Sequence, residues 1–155
     1  MKKGVLLAVT LVAFTLGVNF LTSCEEENEN ETMISRYNSD ESHRTGQDCM
    51  NCHLSGGSGE GWFTVAGSVY DSTLNTPYPN ALIELYTGPN STGTLVATIE
   101  GDALGNFYTT ESVELGDGLY PLVVGKSESK QMAGAITSGE CNLCHGVSTE
   151  KIWTR

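Results

Sequence analysis

The stretch Cys49-Met50-Asn51-Cys52-His53 returns near the other end of the chain as Cys141-Asn142-Leu143-Cys144-His145. This pair limits what the rest can be. The chain has five cysteines and three histidines, and the two pentads take four of the former and two of the latter. Two thiols so spaced stand on one turn of backbone, with an imidazole directly after the second. That is the spacing of covalent, c-type haem attachment: each thiol adds to one porphyrin vinyl group and the adjacent histidine reaches the iron. The expectation is two c-type haems, tethered at Cys49, Cys52, Cys141 and Cys144, with His53 and His145 as proximal iron ligands. The stretch between the pentads is then their scaffold.

Three rival chemistries use the same residues. A zinc ribbon uses two Cys-x-x-Cys pairs, but seldom has histidine after both. A redox-active dithiol wants a thioredoxin-like βαβ context, which the pattern lacks. Plain disulfides within each Cys-x-x-Cys would close tiny loops and contribute little. Two complete copies in one chain favour haem over all three.

An electron-transfer haem takes a second axial ligand, usually histidine or methionine. The remaining histidine, His43, stands shortly before the first pentad and is the distal candidate there; which iron it serves is open. Met132, shortly before the second pentad, is the thioether candidate, and a His/Met pair raises the potential. Met33 and Met50 are weaker candidates.

The chain opens Met1-Lys2-Lys3, then runs apolar and uncharged from Gly4 to Phe20, then reads Leu21-Thr22-Ser23-Cys24. A basic start, an apolar run and small residues before a cut make an export signal. Leu21-Thr22-Ser23-Cys24 resembles the lipobox of bacterial lipoproteins, which implies lipidation at Cys24 and a membrane contact through that anchor alone. Glu25-Glu26-Glu27-Asn28-Glu29-Asn30-Glu31 cannot bury enough surface to fold and reads as a tether. It also resembles the acidic signal after the lipidated cysteine in some surface-exposed Bacteroidetes lipoproteins. The expected location is therefore an outer-membrane lipoprotein, on the periplasmic side or at the cell surface.

The expected organisation is a leader over 1–23, a tether over 24–32, a first haem segment over 33–61, a β domain over 62–126 and a second haem segment over 127–155. Residues 33–47 are polar and predict irregular structure or one short helix. In 62–71, Phe63, Val65, Gly67 and Val69 alternate with Thr64, Ala66, Ser68 and Tyr70, which is the period of a strand. Further strands are predicted over 81–86 with Ile83 and Leu85 inward, over 94–100 with Leu95, Ala97 and Ile99 inward, from Gly105 to Thr109, and over 118–124. Pro121 cannot donate to a ladder, which predicts an edge strand or a bulge for the last. The fold class is mainly β, a small sandwich flanked by irregular or short-helical haem-binding segments.

Val65-Ala66-Gly67-Ser68-Val69-Tyr70-Asp71, Pro79-Asn80-Ala81-Leu82-Ile83-Glu84-Leu85 and Gly105-Asn106-Phe107 resemble the carboxypeptidase regulatory-like domain. The resemblance implies a transthyretin-like β-sandwich in an accessory, noncatalytic role. No histidine lies between His53 and His145, so a Ser/His/Asp triad within the domain is excluded. The glycine-rich run 56–61 has no preceding strand and no following lysine, unlike a phosphate-binding loop. The scattered carboxylates form no dense calcium loop and read as a solvated surface.

The formal net charge of −11 disfavours nucleic acid and suits a basic partner. As a whole the chain resembles a lipid-anchored dihaem c-type cytochrome, which implies electron exchange with redox partner proteins, with self-association of copies a further contact. Two other readings stay open. One is a haem sensor or enzyme with an open iron site. The other is a surface binding module, with Tyr70, Tyr78 and Tyr86 as its aromatic platform.

Overall fold

A computed structural model of the protein describes residues 30–155. Cys24, the leader and most of the acidic tether lie outside the described residues. The fold is mainly β, with 34% strand and 6% helix. The strands are β1 (Val65–Tyr70), β2 (Leu82–Gly88), β3 (Thr92–Glu100), β4 (Asn106–Thr109), β5 (Tyr120–Val124), β6 (Ser129–Gln131) and β7 (Ile152–Trp153). A single helical turn, α1 (Cys141–Cys144), precedes β7. One sheet has the order β4-β1-β7 and the other β3-β2-β5-β6. Among the described residues no helix is long and apolar enough to cross a membrane.

The two sheets share one core. Val65, Val69 and Phe107 from the first meet Ile83, Leu85, Ile99 and Val123 from the second. Each set comes from alternate positions along its strand, the face that period-two patterning turns inward. Ile83 and Leu85 are inward as the alternation predicts, and so is Ile99. Leu95 is not, being 44% exposed. The register explains the difference. Leu85 pairs with Ala97 but Tyr86 pairs with Leu95, so Val96 is an extra residue. A bulge of one residue reverses the facing of everything beyond it. Leu95 therefore shares the outward face of Tyr86, while Ala97 still packs against the core.

Pro121 also lies elsewhere than its chemistry suggests. β5 is an interior strand between β2 and β6. The Pro121 carbonyl accepts from the Met132 N–H at 2.9 Å. A strand residue's N and C=O point to the same side. The missing donor thus faces Met132, just past the last ladder pair of β6, so a single bond is lost where the ladder ends.

β1 is buried along its whole length on both faces. Its second face carries Ala66, which with Phe63 and Tyr108 forms a smaller cluster that receives Met33, Cys49 and Met50. The stretch before the first pentad is irregular, without a helix. It covers the free edge of β4 through a bridge from Ile34 to Thr109. The stretch after 126 contributes β6 to one sheet and β7 to the other, where β7 runs parallel to β1. Both pentad-bearing segments are thus packed onto β1.

Candidate functional site: two clefts on one strand

Each pentad folds as one turn of helix. In the first, Cys49–Asn51 is a 3-10 turn whose start is capped by the Asp48 carboxylate, which accepts from the Met50 N–H at 3.1 Å. The His53 N–H donates to the Cys49 carbonyl at 3.0 Å, and the His145 N–H donates to the Cys141 carbonyl at 3.0 Å. Positions i, i+3 and i+4 of such a turn share a face, so both thiols and the imidazole of each pentad project together. The repetition extends upstream. The Cys49 Sγ lies 3.7 Å from the Gln47 carbonyl and the Cys141 Sγ 3.5 Å from that of Gly139, two residues back in each case.

The histidines are oriented alike. His53 Nδ1 is 2.7 Å from the Glu60 carbonyl, and His145 Nδ1 is 2.6 Å from the Glu150 carbonyl. A carbonyl only accepts, so Nδ1 carries the proton in both rings and Nε2 keeps its lone pair for a metal. His53 is further fixed by Phe63, stacked on it at 4.2 Å between ring centres and 10° between planes. Gly59 leaves no room against the ring: a Cβ there would stand 2.7 Å from Nδ1.

A cleft of about 610 Å³ opens at the first pentad, lined by Met33, His43, Cys49, Cys52, His53 and Phe63 among others. The ring centre of His43 is 5.9 Å from that of His53. A second cleft, of about 650 Å³, opens at the second pentad and reaches the sandwich core at Val65, Leu85 and Phe107. Met132, Cys141, Cys144, His145 and Trp153 also line it. The sequence-nominated residues therefore divide by cleft, His43 and Met33 with the first pentad and Met132 with the second. Met50 instead packs in the Phe63 cluster.

The cations around Trp153 and the end of the chain have partners. Lys130 Nζ lies 3.0 Å above the Trp153 ring, whose Nε1–H donates to Glu150 Oε2 at 3.1 Å. Lys151 lines the second cleft and donates to the Leu74 carbonyl at 2.9 Å. Arg155 pairs with Glu128 at 3.7 Å.

The inner thiols are not nucleophiles in waiting. Burial first, then the Asp48 charge, pushes the Cys49 thiol up to about 11, and burial pushes Cys141 up to about 12. A dithiol oxidoreductase needs the opposite shift. The four described cysteines are free thiols. Among the described residues no group of three or more His, Cys, Asp or Glu side chains is placed to hold an ion, as a ribbon's four ligands would be. Each cleft instead offers two thiols, one imidazole lone pair and a further soft or imidazole donor, the donor set of a covalently held metalloporphyrin.

One residue at the site carried no signal in the sequence. Asn142, between the cysteines of the second pentad, is 3% exposed. Its Nδ2 donates to the Gln47 carbonyl at 2.8 Å and to Ser68 Oγ at 3.0 Å, and its Oδ1 accepts from the Ser68 N–H at 3.1 Å. Gly67 makes room for the neighbouring Cys141, since a Cβ there would meet Phe107 Cζ at 2.5 Å and Cys141 Cβ at 2.9 Å.

The tyrosine platform does not assemble. Tyr70 is buried on β1, whereas Tyr86 lies on the other sheet and bonds Glu84. The Tyr78 hydroxyl accepts from the Lys126 N–H. No protein-family model, curated protein or solved structure matches this chain.

Proposed function

We propose that the protein is an exported dihaem c-type cytochrome, lipid-anchored at Cys24, that carries electrons between redox partners at the cell envelope or cell surface. In this reading the sandwich is transthyretin-like and the segments on either side of it are haem-binding. One observation carries it: each pentad sits at its own cleft with Nδ1 of its histidine tied to a backbone carbonyl. That tie selects the tautomer whose Nε2 can bind iron, and such partners of a metal-bound histidine also raise its basicity. The size supports the reading too, since cofactor clefts span about 300–1,000 Å³.

When bound, haem supplies a one-electron iron couple. The chain's residues do the rest. Cys49 and Cys52 hold one porphyrin, Cys141 and Cys144 the other. His53 and His145 are the proximal ligands. His43, whose ring centre stands 5.9 Å from that of His53, would be the second iron ligand of the first cleft. Met132 is the distal ligand of the second.

A second reading, a small-ligand sensor or enzyme with one open iron site, is favoured only by Met132, a weaker ligand than imidazole that is also 38% exposed. Expression of the precursor with periplasmic haem-maturation machinery separates these readings. The expected product is red, gains the mass of two porphyrins, and keeps one haem when either cysteine pair is changed to alanine. Carbon monoxide should leave the reduced Soret band in place and shift it in His43→Ala. A colourless product sinks the proposal, and a carbon monoxide shift in the unaltered protein moves the assignment to the sensor.

A further inference from the structure

Resting on that reading, we propose that Asn142 is a positioning residue that fixes the two haem sites as one coupled pair, meeting at the inner thiols Cys49 and Cys141. The two intervening positions of a haem pentad are not needed for thioether or iron bonding. Here they part company: Leu143 is 54% exposed, while Asn142 points inward and is almost wholly buried. A buried amide is costly unless satisfied. Asn142 meets that cost with bonds to both the strand beneath and the other pentad's approach segment.

The network continues beyond it. Ser68 Oγ accepts from the Gly46 N–H at 2.9 Å and donates to Asn106 Oδ1 at 2.7 Å. Asn106 Nδ2 donates to Ser42 Oγ at 2.8 Å and Thr45 Oγ1 at 2.9 Å. A polar chain thus crosses β1 and β4 and ties residues 42–47 to the second pentad. Hydrogen bonds are directional, so a fully satisfied buried network fixes relative placement more tightly than apolar contact does. Gln47 lies just before Cys49 and Asn142 just after Cys141. The first cysteine of each pentad is therefore brought to a shared wall, while Cys52 and Cys144 are exposed. Porphyrins bonded there would each be held by one thioether at that wall.

Two haems so held should give a bisignate Soret circular-dichroism couplet, which reads their separation and mutual angle. Asn142→Leu keeps the shape and removes three hydrogen bonds; Ser68→Ala removes the hub and leaves both pentads intact. Both variants are expected to retain two haems by pyridine haemochrome and unchanged axial-ligand bands. Their couplet amplitude should fall at least twofold. A wild-type couplet amplitude in both dihaem variants overturns the proposal. If Asn142→Leu loads fewer than two haems, Ser68→Ala decides alone. An unaltered protein with two haems and no couplet sinks this inference and leaves the cytochrome reading standing; an unaltered protein without two haems sinks the cytochrome reading.

Discussion

Cys49 and Cys141 are thiols held among apolar neighbours, and that gives the haem-free chain a pH signature. Burial pushes both up from 9.0, to about 11 and about 12. Between those limits the folded chain holds protons that the unfolded chain has lost. Stability falls with rising pH wherever the folded state binds more protons. Their contribution is thus complete below about pH 9 and lost as the pH rises through about 11 to 12. Urea midpoints of the haem-free chain should drop across that window and not between pH 7 and 8.5. Thioether formation removes both ionisations, so the haem-loaded protein should show a smaller drop, the remainder coming from Tyr70 and Tyr108, whose hydroxyls burial also pushes up. Gly59 offers a second test. Gly59→Ala places a methyl group against the His53 ring. Strain of this kind typically costs about 1–3 kcal/mol, visible as a lower melting temperature. It should also perturb the spectrum of the first haem and not that of the second.

At the level of strands, the bulge in β3 separates two leucine-like positions that the alternating pattern treats as equals. Leu95 faces out with Tyr86, and Ile99 faces in at 3% exposure. Leu95→Thr should change stability by less than about 0.5 kcal/mol. Ile99→Ala should cost about 2–5 kcal/mol. Chemical denaturation of the two variants checks the register, and equal losses would contradict the bulge. Periodicity located β1 to β5 because alternating burial writes itself into residue type. It did not reveal the bulge, because nothing in Thr94-Leu95-Val96-Ala97 says which residue is surplus. Nor did it anticipate β6 and β7, which are three and two residues long and exist only through their partners. Pro121 shows the same limit: in an interior strand a missing donor costs only a single bond when it falls where the ladder ends.

On the scale of the molecule, the chain carries a formal charge of −11. A net field of one sign speeds encounter with the opposite sign and is screened by salt. Reduction of the haem-loaded protein by a cationic mediator should outpace reduction by an anionic one of equal potential. Stopped-flow rates should converge on raising the salt from about 0.01 to 1 M, where the screening length shrinks from about 30 to 3 Å. The site was legible in part for a physical reason. Thiol and imidazole spacing on one turn is a local property, so the pentads marked where these donors would gather. The tautomer of each histidine and the 5.9 Å approach of His43 depend on how nearby loops close, and the division of donors between clefts on how those loops dock on the sheet; composition carries no trace of either. By itself the sequence determined a mainly β body and two short-range donor sets, because alternation and i, i+3, i+4 spacing are set along the chain. Tertiary structure alone decided that both sets lie against β1 with Asn142 between them, because a hydrogen bond from residue 142 to residue 47 exists only once the strand between them is in place.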